Sequence, residues 1–344
     1  ITSENAEEVA ANGCARSTVK ETYEFILGDL NKAIELLANT KKTRSDKRYV
    51  SLDVAYGIRA RVHLTMHNYA DALKDAEAAL ASTSSVPYSS AAVSKPTFID
   101  IEDASWMWGI LITDKDRVST TGICNFPSHM GSLNYGYASV GGWRRISPKL
   151  YNQIPESDVR KGWFLDDTGV SVNLPAAAQA YITKKGAPVY TQVKYGPMND
   201  EWGSNNNATD VILMRVEEMY LIKAEAQAMN NDVSGGVNTL NSFVNTYRDP
   251  SYKCTATTGE AVQEAVWHQR RIEFWGEGLA YFDIMRLNKG VNRLGCGFPK
   301  TAVFNIAAGD PVQIYSIPNK EVQYNPLLEN NPLVSAPTPI PDEE

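Results

Sequence analysis

His268–Leu287 reads HQRRIEFWGEGLAYFDIMRL. Two helical stretches, 259–275 and 277–288, meet here and are parted near Gly276 and Gly278, residues that break a helix readily. Glu273 and Glu277 lie four residues apart, a spacing at which one helix face can bring two carboxylates together. Two carboxylates at that spacing are also what a glycoside hydrolase needs, with its carboxyls ~5–5.5 Å apart if retaining and ~6.5–9.5 Å if inverting. However, Arg270, Arg271 and Arg286 crowd the same stretch, and Asp283 adds another carboxylate. The charges therefore read as an ion-pair network that holds a helical layer, and Arg271→Ala is expected to harm folding rather than binding.

The same character appears on both sides of this stretch. Residues 211–230 read as a helix with Leu213, Val216, Tyr220, Ala224 and Gln227 on one face, and 237–248 as its partner after a turn at 230–236. Glu217, Glu218 and Glu225 within it are expected to meet Arg215, Lys223 or a neighbouring helix. Towards the N-terminus, Val19, Tyr23, Ile26, Leu27, Leu30, Ala33, Ile34 and Leu37 recur at helical spacing over 16–38. Ser17 or Thr18 caps that helix, with Glu21 three residues beyond Thr18. Residues 51–67 and 69–81 form a further pair, with Ala55, Ala60, Leu64, Ala70, Ala72, Ala76 and Ala79 at close-approach positions and Tyr69 at the turn. That pattern is of the tetratricopeptide kind, and a plain helical hairpin also fits it.

Between these pairs the composition changes. Ser, Gly, Pro and Asn are frequent over 82–210, residues 105–113 read as a strand, and 122–143 is irregular and aromatic. Trp106 and Trp108 are expected on one side of that strand. From 309 the chain is extended and Pro-rich, and its last ten residues read as disordered. The organisation is one mostly α domain: a helical scaffold at 1–81 and 211–308, a loop-rich, strand-containing lobe at 82–210, and a tail at 309–344.

Composition excludes several functions. Lys plus Arg number 33 and Asp plus Glu 40, a net charge of −7, and no block of like charge reaches five residues. No basic stripe exists for a phosphate backbone, so nucleic acid is not a partner. Cys14, Cys124, Cys254 and Cys296 form no CxxC pair, so zinc is unsupported. They read as free thiols or as one bridge such as Cys254–Cys296. His63, His67, His129 and His268 are isolated, and no phosphate loop or nucleophile motif is present, so no metal, cofactor or catalytic residue is assigned. No apolar run approaches the ~20 residues that span a bilayer.

Five segments in order resemble the SusD/RagB family: YEFILGDLNKAIELL (23–37), the Ala-rich pair (55–81), RVEEMYLIKAEAQAM (215–229), HQRRIEFWGEGLAYFDIMRL (268–287) and YSIPNKEVQYNPLLENNP (315–332). Glu329 and Trp275 depart from the family's pattern. The resemblance implies stacked tetratricopeptide-like pairs with a loop-rich face. It also implies a non-enzymatic outer-membrane lipoprotein of Bacteroidetes-type bacteria. Such a protein captures oligosaccharide, or in some members peptide, for a SusC-like TonB-dependent barrel, and its lipid anchor is expected ahead of Ile1. Loops at 160–170 and 184–210 are alternative barrel-facing segments.

Sugar recognition needs flat apolar faces beside amides and charged groups. Trp143, Tyr135, Tyr137, Asn134 and Arg144 offer these in one loop and Trp202 in another, with Arg145 and Asn205–Asn207 beside them. These are the candidate ligand-binding residues. The rival reading is a tetratricopeptide-type scaffold for a protein or peptide partner, which has no need of the aromatic insertion.

Overall fold

A computed structural model describes residues 6–40, 42–116, 125–332 and 334–337. Its helices are α1 (Ala6–Asn12), α2 (Val19–Asn39), α3 (Leu52–Thr65), α4 (Tyr69–Ser82), α5 (Ser90–Val93), α6 (Phe126–Met130), α7 (Pro148–Tyr151), α8 (Ala176–Lys184), α9 (Val216–Met229), α10 (Val233–Tyr247), α11 (Gly259–Glu273), α12 (Ala280–Arg286) and α13 (Asn319–Tyr324). Strand β1 (Trp106–Ile110) pairs antiparallel with β2 (Val211–Arg215), and the two-residue β3 (Val291–Asn292) with β4 (Asn305–Ile306). No described helix is long and apolar enough to cross a membrane. The described residues fall into two compact units: Lys32–Ala280, and the residues up to Asn31 together with those from Tyr281 on.

In the larger unit the expected stacking of helical pairs is present. α3 and α4 form one hairpin, α9 and α10 a second, and α4 and α11 both pack on α9. Val54, Ala60, Leu64, Ala72, Ala76 and Ala79 close on Met214, Val216, Met219 and Ile222. Small residues let the helix axes approach, and the larger side chains fill what remains. Ala70 is the exception and faces solvent. α9 is buried on nearly every side, so it is the central helix of the layer.

Residues 211–230 differ from the helical expectation. Val211–Arg215 is strand, and the helix starts at Val216. An apolar run of this length fits either state; the neighbouring β1 provides a ladder, and β-branched Val211 and Ile212 fit it. β1 carries register irregularities on both sides of Trp108. They break the expected alternation. Trp106 is wholly buried in one core cluster and donates to Tyr88 Oη at 2.8 Å, whereas Trp108 packs on another. Hence the two rings do not share a side.

The helical layer is held by charges. Arg160, Lys194, Arg215 and Arg248 face Asp158, Glu217, Glu273 and Glu277, all of them buried or nearly so. Glu273 is the hub. Arg160 lies 3.3 Å from it, Arg215 3.0 Å and Arg248 2.8 Å. Glu277 takes Arg215 at 2.8 Å and Lys194 at 2.6 Å. Four cations balance four carboxylates, the condition under which buried charge is tolerated. Burial pushes the Glu273 carboxyl up, but Arg248, Arg215 and Arg160 outweigh it and hold it well below its usual range. The network read at 268–287 is therefore present in part as expected: Arg286 pairs with Asp283 at 2.8 Å and Arg270 reaches Glu218 at 3.8 Å. Glu273 and Glu277, however, take their cations from 160, 194, 215 and 248, and the Arg271 guanidinium stacks on Trp267 at 4.9 Å. Glu217 and Glu218 meet Arg215 and Arg61, as expected of them.

In the smaller unit, Thr18 and Glu21 cap α2 reciprocally. Thr18 N–H donates to Glu21 Oε2 at 2.8 Å, and Glu21 N–H to Thr18 Oγ1 at 3.2 Å. Asn325 of the tail clamps the chain near its start. Its Oδ1 accepts from Cys14 N–H at 3.0 Å and its Nδ2 donates to Cys14 C=O at 2.8 Å. Arg16 reaches Asn331 Oδ1 at 2.8 Å, and Asn330 brackets Ile317. The Asn-Pro tail thus works through its amides, and it includes a short helix, α13, within the expected extended stretch. Cys14, Cys254 and Cys296 are free thiols. Cys124, residues 122–124 of the aromatic segment and most of the last ten residues lie outside the described residues.

Candidate functional site

The aromatic segment is built on α6. Asn125 Oδ1 accepts from Ser128 N–H at 2.7 Å, which caps the helix. Ser128 Oγ in turn accepts from Tyr137 N–H at 2.9 Å. Folding back in this way places Tyr137 on His129, with ring centroids 4.7 Å apart and planes 23° apart. The Arg144 guanidinium lies 5.8 Å from the Tyr137 ring, and its Nη2 is 3.4 Å from His129 Nδ1. His129, isolated in the sequence, is part of this cluster.

A second loop is stitched to the first. Tyr135 N–H donates to Ser204 C=O and Gly203 N–H to Leu133 C=O, both at 2.8 Å. Asn134 is buried and donates through Nδ2 to Asn207 Oδ1, while Asn207 donates to Tyr135 C=O at 3.3 Å. Asn134 thus joins the two loops from inside, and its own Oδ1 has no hydrogen-bond partner among the described residues. Trp143 and Trp202 both pack against the cluster of Leu133, Leu165, Ala178, Ile182 and Val193.

Consequently the candidates are gathered on one lobe but not in one role. Tyr135 is 49% exposed and Tyr137 43%. Both present ring to solvent beside a cation: Arg144 for Tyr137, and for Tyr135 the Lys185 ammonium, 5.4 Å from its ring and 5.7 Å from that of Tyr181. Trp143 and Trp202 are half-buried supports, and Asn134 is an internal staple. Lys185 and Tyr181 escaped the sequence reading because α8 lies some forty residues downstream and carries no local signal. The arrangement offers stacking faces and hydrogen-bond donors at an open edge.

The carboxylates raised by the hydrolase alternative are not available for chemistry. Glu273 is 0% exposed and Glu277 is 5% exposed in its side chain, and both are taken up by guanidinium and ammonium groups. Among the described residues no cluster of His, Cys, Asp and Glu has the arrangement of a metal site.

A SusD family model matches residues 160–333, just over half of the chain. The chain is also similar to several solved structures. One is a SusD-like carbohydrate binding protein from Bacteroides vulgatus, at 23% identity and a TM-score of 0.75, covering 95% of this chain and 69% of that one. A SusD superfamily protein from Bacteroides thetaiotaomicron follows at 23% and 0.73, covering 93% and 68%. Another from Parabacteroides distasonis stands at 17% and 0.67, covering 92% and 70%. No curated protein matches the chain. At such identities the structures establish the shared fold; the family model covers just over half of the chain, and the chain belongs to the SusD family.

Proposed function

We propose that the chain is a cell-surface binding subunit that captures an oligosaccharide at the edge formed by Tyr135 and Tyr137. It delivers that ligand to a SusC-like TonB-dependent barrel of the outer membrane, with a lipid anchor supplied ahead of Ile1. The loop-rich lobe at 82–210 is its ligand-facing part, and no catalysis is involved. The observation that carries this reading is the pair of exposed phenol rings, each beside a cation, in a loop tied down by Asn134, Asn207 and Ser128. Stacking on a fixed ring adds about 1 kcal/mol, or roughly a fivefold gain in affinity. The carbohydrate-binding description of the similar Bacteroides vulgatus structure supports the ligand class.

The test is a glycan array followed by calorimetry on the best ligand. Tyr135→Ala and Tyr137→Ala should each weaken binding about fivefold while circular dichroism stays unchanged. Trp143→Ala is the poorer probe, since Trp143 packs on the lobe's core and its loss also destabilises. Absence of glycan binding, or binding untouched by both tyrosine variants, overturns the proposal. Binding of peptides in its place favours the scaffold reading.

A further inference from the structure

A separate cleft of about 490 Å³ lies in the lobe and shares no lining residue with the aromatic edge. Tyr151, at the end of α7, and Tyr190 form its aromatic wall, their centroids 5.2 Å apart and their rings inclined by 57°. Tyr151 is only 8% exposed. Its hydroxyl nevertheless makes no hydrogen bond to any described residue, and neither does that of Tyr190. A phenol buried to this degree normally has a partner; here the hydroxyl opens on the cleft.

The cleft's lining is also acidic. Glu156 is held by Lys161, and Asp158 by the buried Arg160. Asp166 and Asp167 have no ion-pair partner among the described residues. Asp166 Oδ1 accepts from Thr168 N–H at 2.8 Å, Thr168 Oγ1 at 2.7 Å and Val170 N–H at 2.9 Å, which fixes the carboxylate. Burial works against the charge, but these bonds outweigh it and hold the Asp166 carboxyl below its usual range. Burial, then Asp166, Glu156 and Asp167, push the Tyr151 phenol up to about 12. Three carboxylates thus bear on that hydroxyl, and the Lys161 ammonium lies 5.1 Å from the ring.

Flat rings, free phenol oxygens and two carboxylates without counter-ions together suit a small cation with an apolar or hydroxylated body. We propose that this cleft binds an organic primary ammonium, with the amine between Asp166 and Asp167 and the body against Tyr151 and Tyr190. Two sources carry that chemistry, an amino sugar and a lysine side chain. The proposal does not depend on the function assigned to the Tyr135 edge.

The test is calorimetry of the full chain with glucosamine against glucose, and with Nα-acetyl-lysine amide against Nα-acetyl-norleucine amide, at low and high salt. Losing a hydrogen-bonded charge should make each neutral analogue about tenfold weaker than its amine, and salt should weaken the amines selectively. The tighter of the two amines identifies the source. Asp167→Asn and Tyr151→Phe should each weaken amine binding severalfold while circular dichroism stays unchanged. Tyr135→Ala should leave it as it was. Equal binding of glucosamine and glucose, no saturable binding of either amine, indifference to Asp167→Asn, or loss on Tyr135→Ala overturns the assignment.

Discussion

Lys194 holds its ammonium where water does not reach, 0% exposed, between Glu277 and the backbone carbonyls of Glu273 and Trp275. Burial pushes it down to about 8, and the pull of Glu277 only partly offsets this. In the unfolded chain the same lysine stays protonated to ~10.4. Between those values the unfolded chain binds more protons, so stability should rise with pH across that window and be lowest, and flat, below about 8. Lys194→Met should abolish this slope, because Arg215 still holds Glu277 through Nε at 3.0 Å and Nη2 at 2.8 Å. Urea unfolding of both proteins at about pH 7.5 and about pH 9.5 checks it; at ~1.4 kcal/mol per unit the difference amounts to a few kcal/mol. Equal slopes would contradict the expected burial cost. At this scale the sequence was half legible. Glu273 and Glu277 announced a network, but Arg160, Lys194, Arg215 and Arg248 lie up to 113 residues away. Pairing over such separations leaves no local pattern.

Between α9 and α10 the helix backbones come so close that a Cβ on Gly236 would lie 2.6 Å from Ala224 C=O and 2.8 Å from Ala228 Cβ. Alanine is the better helix former by up to about 1 kcal/mol. Overpacking against a neighbouring backbone costs about 1–3 kcal/mol, so the clash should win. Gly236→Ala should lower the urea midpoint without changing the m-value. A higher midpoint would mean that the hairpin can spread at no cost. Periodicity found α3, α4, α9, α10 and α11 because each buries one face or more against a partner helix. It missed β2, because the four apolar residues of β2, Val211–Met214, look the same whether the partner is a helix or a strand. It also missed the inequality of Trp106 and Trp108, which arises from an irregular ladder that only the β1–β2 pairing reveals.

For the whole molecule, the order of five motifs carried the family, and its fold, from sequence alone. The binding residues were only partly legible. Tyr135 and Tyr137 are exposed as a ligand edge requires, yet Asn134 and Trp143 serve the interior, and Tyr151 and Tyr190 had no distinguishing neighbours until the fold joined them. If the proposed delivery role holds, gentle extraction of native outer membranes through a tag on this chain should bring a large TonB-dependent barrel in near-equal amount. Recovery of the chain alone from membranes would sink the delivery role while leaving ligand capture to be judged by calorimetry.

Four cations and four carboxylates between residues 158 and 277 neutralise one another only as a complete set. Until Glu273 and Glu277 leave the ribosome, Arg160, Lys194, Arg215 and Arg248 have too few counter-charges, and enclosing them would cost more than leaving them hydrated. A chain made from its N-terminus therefore keeps these cations in water through most of its synthesis, and the helical layer closes in a late step. The buried charges thus act as a timing device, a barrier to premature collapse in a chain that a cell must build in one direction.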